Sequence, residues 1–225
     1  MSAQVLIAIP AYNEGAFIEQ CIRRVSAFAA LDHILIINDG STDQTGDLAH
    51  AAGVRVVEHT RNQGKGAAIL TALSFACRNH FQWILFMDGD GQHPAASIPE
   101  FLQQIARDHA DVLLGNRQNR KRRMPVHRQL SNGITSLIIS WCAGGTRIHD
   151  SQCGMRALRL SALKDLTLYE HGFQLESEML IKLGRVGARF DEIGIETVYG
   201  GEKSSIRLVA DTLEFILLIL KSLLW

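Results

Sequence analysis

The chain has 225 residues in which 23 Lys and Arg balance 23 Asp and Glu, and 47% of its residues are hydrophobic. That composition excludes a disordered or collagen-like chain, and a net charge of zero excludes a uniformly basic nucleic-acid binder. The zero is a sum of segregated parts: residues 1–111 carry −5, residues 112–149 carry +7 without a single acid, and residues 150–225 carry −2.

Apolar runs at 5–9, 34–37, 54–57, 83–87 and 111–114 read as strands. Between them, helical periodicity puts Phe17, Ile18, Cys21, Ile22, Val25 and Phe28 on one face. It recurs at 45–52, at 67–77 and around Ile98, Phe101, Leu102 and Ile105. Short apolar strands alternating with amphipathic helices predict an α/β fold, a mostly parallel sheet covered on both faces. The second half reads as helices at 128–142 and 175–187 and an alternating strand at 190–198. No linker, repeat or low-complexity run interrupts the chain. A single domain over 1–205 is expected, with a ligand-binding half at 1–115, a half at 116–205 that completes the site, and an apolar helical tail at 206–225.

Cys21, Cys77, Cys142 and Cys153 form no CxxC pair and read as idle thiols of a reducing compartment. The first apolar run lacks the basic flank of a signal peptide. The tail comes closest to the ~20 apolar residues of a membrane span, but Arg207, Asp211, Glu214 and Lys221 interrupt it.

Ligands of parallel sheets bind beyond the carboxyl ends of the strands. Pro10-Ala-Tyr-Asn-Glu14 follows the first strand, with none of the glycines of a dinucleotide fingerprint. Asn38-Asp-Gly-Ser-Thr-Asp43 follows the second: Asp39 suits a base or ribose, Ser41 or Asp43 suits a helix cap, and the whole is also ordinary turn chemistry. After the third, Arg61-Asn-Gln-Gly-Lys-Gly66 resembles a phosphate loop, but His59 and Gly66 stand where that motif needs Gly and Ser/Thr. The fourth strand runs into Asp88-Gly-Asp-Gly-Gln-His93. Alternate residues of an extended segment point the same way, so Asp88 and Asp90 converge and call for a hard divalent cation, with Gln92 as a further oxygen ligand. His93 and His149 have no second His at metal spacing and read as structural or exposed.

These motifs continue through Gly115-Asn-Arg117, Asp150-Ser-Gln-Cys-Gly-Met-Arg156 and Leu175-Glu-Ser-Glu178. In their order and spacing the chain resembles, over nearly its whole length, family 2 glycosyltransferases of the GT-A fold. It is most similar to the polyprenyl-phosphate (dolichyl-phosphate) mannose or glucose synthases. The resemblance implies a nucleotide-diphosphate sugar donor and Mg2+ or Mn2+. Pro10, Tyr12 and Glu14 would hold the nucleoside with Asp39 at its base, and Lys65, Asp88 and Gly89 would complete the donor site. Asp88, Asp90 and Gln92 would serve the metal. Arg117, Arg128 and Lys203 would meet phosphates, and Arg156 would face the acceptor. Asp90, Arg156, Asp150 and Glu178 form the implied catalytic set. Three departures stand out: Asn38 replaces an acid, Cys153 replaces Ser/Thr, and Glu176 replaces the usual Gln.

The acceptor decides the chemistry expected. A lipid phosphate arrives anionic and needs cations, which Arg117, Arg120, Lys121, Arg122, Arg123 and Arg128 offer in one segment; that run reads either as a solvated loop or as one that orders over phosphates or an anionic leaflet. A hydroxyl acceptor needs a base, for which Asp150, Glu176 and Glu178 are candidates; Glu176 and Glu178 lie two apart and would not share a helix face. A nucleotide-sugar binder without turnover is the third reading. The tail has three partners on offer: the domain itself, a second copy in a homo-oligomer, or a bilayer with Trp225 at its interface. Work at the cytoplasmic side, peripheral to the inner membrane face, is the expectation.

Overall fold

The computed structural model describes residues 3–89, 94–117, 126–196 and 208–225, the side chains of 126–128 and 208–212 excepted. The elements alternate through the first half: β1 (Val5–Ala11), α1 (Ile18–Val25), β2 (Ile34–Asn38), α2 (Thr45–Ala51), β3 (Arg55–Glu58), α3 (Lys65–Arg78), β4 (Trp83–Phe86), α4 (Ile98–Arg107) and β5 (Val112–Asn116). Then follow α5 (Val126–Cys142), β6 (Arg156–Arg159), α6 (Leu160–Leu163), α7 (Gln174–Arg185), β7 (Phe190–Gly194) and α8 (Leu208–Ser222). The expected strand at 190–198 ends at Gly194, and residues 197–198, like 206–207 of the tail, lie outside the described residues.

One seven-stranded sheet of order β3-β2-β1-β4-β6-β5-β7 carries the molecule. Ile7 pairs with Ile34 and Ile9 with Ile36 in parallel register, and Val5 pairs with Trp83 on the other side of β1. The chain order reverses between β1 and β4, which opens a ligand crevice at their carboxyl ends. Alternation along β1 divides the core. Val5, Ile7, Ile9 and Ala11 pack toward α1 and α4, and Leu6 and Ala8 toward α3, α5 and α7. On α3 the inward face is Ala68, Ile69, Ala72 and Ala76, small enough for that helix to lie close on the sheet.

β6 is the element that periodicity did not foretell. It runs antiparallel to both β4 and β5, with Leu85 and Leu113 each opposite Ala157. Arginines at both ends make Arg-Ala-Leu-Arg read as polar, yet each is compensated. The Arg159 guanidinium lies 4.8 Å over the Trp83 ring and pairs with Asp111, while Arg156 enters the site described below.

The tail takes the domain as one partner. α8 packs Phe215, Leu218 and Ile219 into the core beside α7. Gln174 donates to Glu214 at 2.6 Å, and Arg185 donates to the Ser222 carbonyl at 2.6 Å. Its other face is exposed, with Leu213, Ile216, Leu217 and Leu220, as are Leu223 and Leu224 in the turn that follows. Among the described residues, no helix is long and apolar enough to cross a membrane.

Candidate active site

The loops after β1 and β2 are sewn together by side chains. Ser41 Oγ accepts from the Asn13 amide at 2.9 Å, and Asn13 Oδ1 accepts from the Thr42 amide at 2.8 Å. Asp43 accepts from the Gly15 amide and from both the amide and hydroxyl of Thr45. Burial would raise the Asp43 pKa, but these donors hold it below the ordinary value. Pro10, half-buried, is the next-to-last residue of β1, and Tyr12 just past the strand stands exposed. The Glu14 amide donates to Thr45 Oγ1 at 2.8 Å, which sets the start of α1 against that of α2.

Asp39 lies just past β2 and is nearly buried. Its Oδ1 accepts from the Gln63 amide at 2.9 Å and sits 2.6 Å from His59 Nδ1; its Oδ2 accepts from the Gly64 amide at 2.8 Å. The carboxylate thus anchors the glycine-rich loop ahead of α3. The next residues explain why that loop departs from a phosphate loop. A Cβ on Gly66 would lie 2.3 Å from the His171 carbonyl oxygen and 2.5 Å from that of Gly172. The glycine serves close approach of α3 to the 171–172 backbone.

From there Lys65 reaches across the crevice. Its Nζ lies 2.7 Å from Asp88 Oδ1 and 3.5 Å from Glu176 Oε2, and Glu176 Oε1 lies 3.1 Å from Arg156 Nη2. A file of alternating charges, Asp88–Lys65–Glu176–Arg156, therefore joins the loop after β4 to the starts of α3, α7 and β6. Burial pushes the Lys65 ammonium down, but Asp88 and Glu176 more than offset it and hold the pKa above its ordinary value. Arg156 is fully buried, donates to the Cys153 carbonyl at 2.6 Å, and keeps Nε and Nη1 without a partner among the described residues. Buried donors of this kind are rare in native structures and mark a place where a ligand oxygen fits. Gly154 shapes the other wall: a Cβ there would lie 2.0 Å from Asp88 Oδ2. Gly89 passes alongside Ile9 and Pro10.

The other candidates separate from this file. Asp150 is buried, and both its oxygens are taken by the Arg117 fork at 2.8 and 2.9 Å, with the Arg117 amide as a third donor. Glu178 is fully buried on the opposite side of α7 from Glu176. It accepts from the Tyr169 and Glu170 amides and pairs with Lys182 at 2.6 Å. Of the two carboxylates that a helix cannot show on one face, Glu176 is the one in the crevice. Asn38, at the position where an acid was expected, donates to Glu58 at 2.6 Å and accepts from the Ser41 amide; an acid there would meet Glu58 as a like charge. Cys153 is buried, which pushes its thiol up to about 12, so it is no nucleophile. His149 is held at 2.6 Å by Glu192. Asp90, Gln92, His93, Arg120, Lys121, Arg122, Arg123 and Lys203 lie outside the described residues, as does the Arg128 side chain.

The donors that a metal would use are hard oxygens. Asp88 is pinned at the end of β4 by Lys65 and by the bare Cα of Gly154, facing the same crevice. Among the described residues no group of three or more His, Cys, Asp or Glu could hold a metal ion; Asp90 and Gln92, the other ligands the sequence suggests, lie two and four positions on, outside the described residues. Carboxylate and amide oxygens in that number suit an ion that keeps part of its shell for phosphates and water.

Comparison with known proteins shows the fold and the family. In solved structures, glucosyl-3-phosphoglycerate synthase from Mycobacterium tuberculosis in complex with UDP superposes with a TM-score of 0.76 at 19% identity, covering 98% of this chain and 80% of that one. That likeness shows the fold, a GT-A sheet with its flanking helices. Among curated proteins, the UDP-N-acetylglucosamine–dolichyl-phosphate N-acetylglucosaminyltransferase of Methanococcus voltae is 29% identical over 87% of this chain and 86% of its own. The undecaprenyl-phosphate mannosyltransferase of Micrococcus luteus is 27% identical over 87% and 84%. The family model described as glycosyl transferase family 2 matches residues 6–167, and the chain belongs to that family of glycosyltransferases.

Proposed function

We propose that the enzyme moves a hexose from a nucleotide-diphosphate sugar to a polyprenyl phosphate, with inversion, at the cytoplasmic face of a membrane. The observation that carries the acceptor is the state of the carboxylates. Asp150 is spent on Arg117, Glu178 on two amides and Lys182, and Glu176 lies between Lys65 and Arg156. A hydroxyl acceptor would need one of them as a base; a phosphate acceptor needs none. Relatives whose names carry dolichyl phosphate and undecaprenyl phosphate support the same reading, as do the +7 segment and the exposed apolar faces of α5 and α8.

In the proposed reaction an acceptor phosphate oxygen forms its bond to the anomeric carbon as the bond from that carbon to the donor diphosphate breaks. The electron pair leaves with the nucleoside diphosphate, and one in-line displacement inverts the centre. Lys65 and Arg156 are preset cations beside the leaving group, so little reorganisation is needed when charge develops there. Asp88, Asp90 and Gln92 would hold Mg2+ or Mn2+, which when bound neutralises charge on the diphosphate. Arg117, Arg128 and Lys203 would receive the acceptor phosphate.

The test is a panel of radiolabelled nucleotide sugars incubated with polyprenyl phosphate and partitioned into organic solvent. Label from one donor is expected in the organic phase, lost with chelator. Label there from no donor sinks the lipid acceptor, and label passing instead to a soluble hydroxyl compound selects the other acceptor class.

A further inference from the structure

We propose that His59 is a specificity-determining residue that restricts the donor to a uracil nucleotide. The proposal rests on the reading that the Asp39 carboxylate meets the nucleobase.

A carboxylate offers about four lone-pair directions. On Asp39 three are filled: Oδ1 by the His59 Nδ1–H and the Gln63 amide, and Oδ2 by the Gly64 amide. One direction remains, on Oδ2. Two of the three donors are backbone groups of the loop that leads into α3. The third is a side chain with its own anchor, since His59 Nε2 lies 2.9 Å from Thr71 Oγ1 on α3. Both partners are nearly buried, with 9% and 5% of the His59 and Asp39 side chains exposed, so the geometry is fixed before any nucleotide arrives. The Asp39 amide donates to the Ala11 carbonyl at 2.9 Å, which sets the carboxylate at the β1–β2 seam beside exposed Tyr12.

The base edges differ in what they ask of such a group. Guanine presents two adjacent donors, N1–H and N2–H, and pairs with a carboxylate through both oxygens. Here Oδ1 is full, so one guanine donor would be stripped of water and left unpaired, which sites discriminate strongly against. Uracil presents a single donor, N3–H, and matches the single remaining lone pair. Adenine and cytosine set a ring-nitrogen lone pair next to their amino donor, so that an acceptor faces the acceptor oxygens of the carboxylate.

Titration calorimetry of the full chain with UDP and with GDP, each with Mn2+, tests this. Wild type should bind UDP tighter than GDP by about tenfold or more, the range that a lost bidentate pair implies. His59→Phe removes the donor to Oδ1 and should move the UDP-to-GDP ratio toward parity. His59→Asn, whose amide nitrogen replaces Nδ1, should keep it, which a merely packing role for the ring would not predict. GDP binding as tightly as UDP in wild type overturns the proposal, as does a folded His59→Phe with an unchanged ratio. If His59→Phe does not fold, the wild-type ratio alone decides. The underlying readings fail in their own ways: binding of neither nucleotide removes the donor site altogether, and an Asp39→Asn variant with unchanged affinity for UDP removes Asp39 from the base.

Discussion

A carboxylate between a half-buried lysine and a buried arginine serves them before it serves chemistry, and Glu176 is in that position between Lys65 and Arg156. Glu176→Gln keeps an acceptor oxygen for Arg156 and Lys65. With a phosphate acceptor, turnover should therefore stay within about tenfold of wild type, since one hydrogen-bond partner is weakened and none removed. Glu176→Ala should instead lower stability by about 3 kcal/mol, because Arg156 is left buried with its charge uncompensated. Product formation and urea unfolding on both variants separate the roles; abolished turnover in a stable Glu176→Gln would make it a base. Glu178 carries the complementary expectation. Glu178→Ala should cost about 3–5 kcal/mol by leaving the Tyr169 and Glu170 amides and the Lys182 ammonium without their buried carboxylate partner, seen as a lowered urea midpoint with donor affinity preserved in the folded fraction. Sequence spacing could say that the two glutamates part company on a helix. Which one enters the crevice depends on Tyr169 and Glu170, eight or nine residues upstream, and no periodicity encodes that.

At the scale of elements, the parallel half of the sheet was legible because β1, β2 and β4 are nearly continuous apolar runs, buried on both faces. β6 was not, since its arginines are neutralised only by residues far along the chain. Asp111 is the hub of that compensation: Arg189 on the approach to β7 donates to both its oxygens at 2.9 and 3.0 Å, and Arg159 at the end of β6 pairs with it. The Arg189 hydrogen bonds, against a desolvation cost, bring Asp111 down to about 2 from an ordinary 3.8. A carboxylate with a depressed folded pKa stabilises the fold above its unfolded pKa, and that stability is lost as pH falls through the folded value. The β5–β6–β7 seam should therefore hold down to about pH 4 and weaken between there and about pH 2. Arg189→Ala, which leaves Arg159 in place, should reduce the Asp111 share of that slope, read as a shallower loss of thermal midpoint between those pH values; an unchanged slope would remove the Arg189–Asp111 pair from the seam's acid response. Gly154, just ahead of β6, escaped notice for a related reason. Its need for a bare Cα comes from Asp88 on the neighbouring strand's loop. Gly154→Ala should displace that carboxylate and cut turnover by about a hundredfold, in line with the sensitivity of catalysis to ångström-scale misplacement, with the fold retained by circular dichroism.

Across the whole molecule the segregated charge and the apolar surface point to one direction of approach. The +7 segment contains α5, whose Leu130, Ile134, Leu137 and Trp141 recur at helical spacing and are all exposed. α8 repeats the pattern with Leu213, Ile216, Leu217 and Leu220. Both helices pack on α7, and Arg185 ties their ends together by donating to the Cys142 and Ser222 carbonyls at 2.7 and 2.6 Å. On the proposed reading of a lipid-phosphate acceptor, apolar faces of this extent in a chain with a cation-rich stretch of sequence suit an anionic bilayer, the cations attracted to its surface and the leucines entering it. Trp141→Glu and Leu217→Glu, one on each helix, should each weaken sedimentation with phosphatidylglycerol vesicles by about tenfold or more, given the 1.5–3 kcal/mol that a large apolar side chain gains on leaving water. Binding to neutral phosphatidylcholine vesicles should be weaker throughout, and salt should weaken only the anionic case. UDP binding in both variants should match wild type, because neither side chain belongs to the crevice. Variants that sediment with vesicles as wild type does would instead leave these faces to a second copy of the chain, a state that analytical ultracentrifugation would show as a dimer dispersed by the same substitutions.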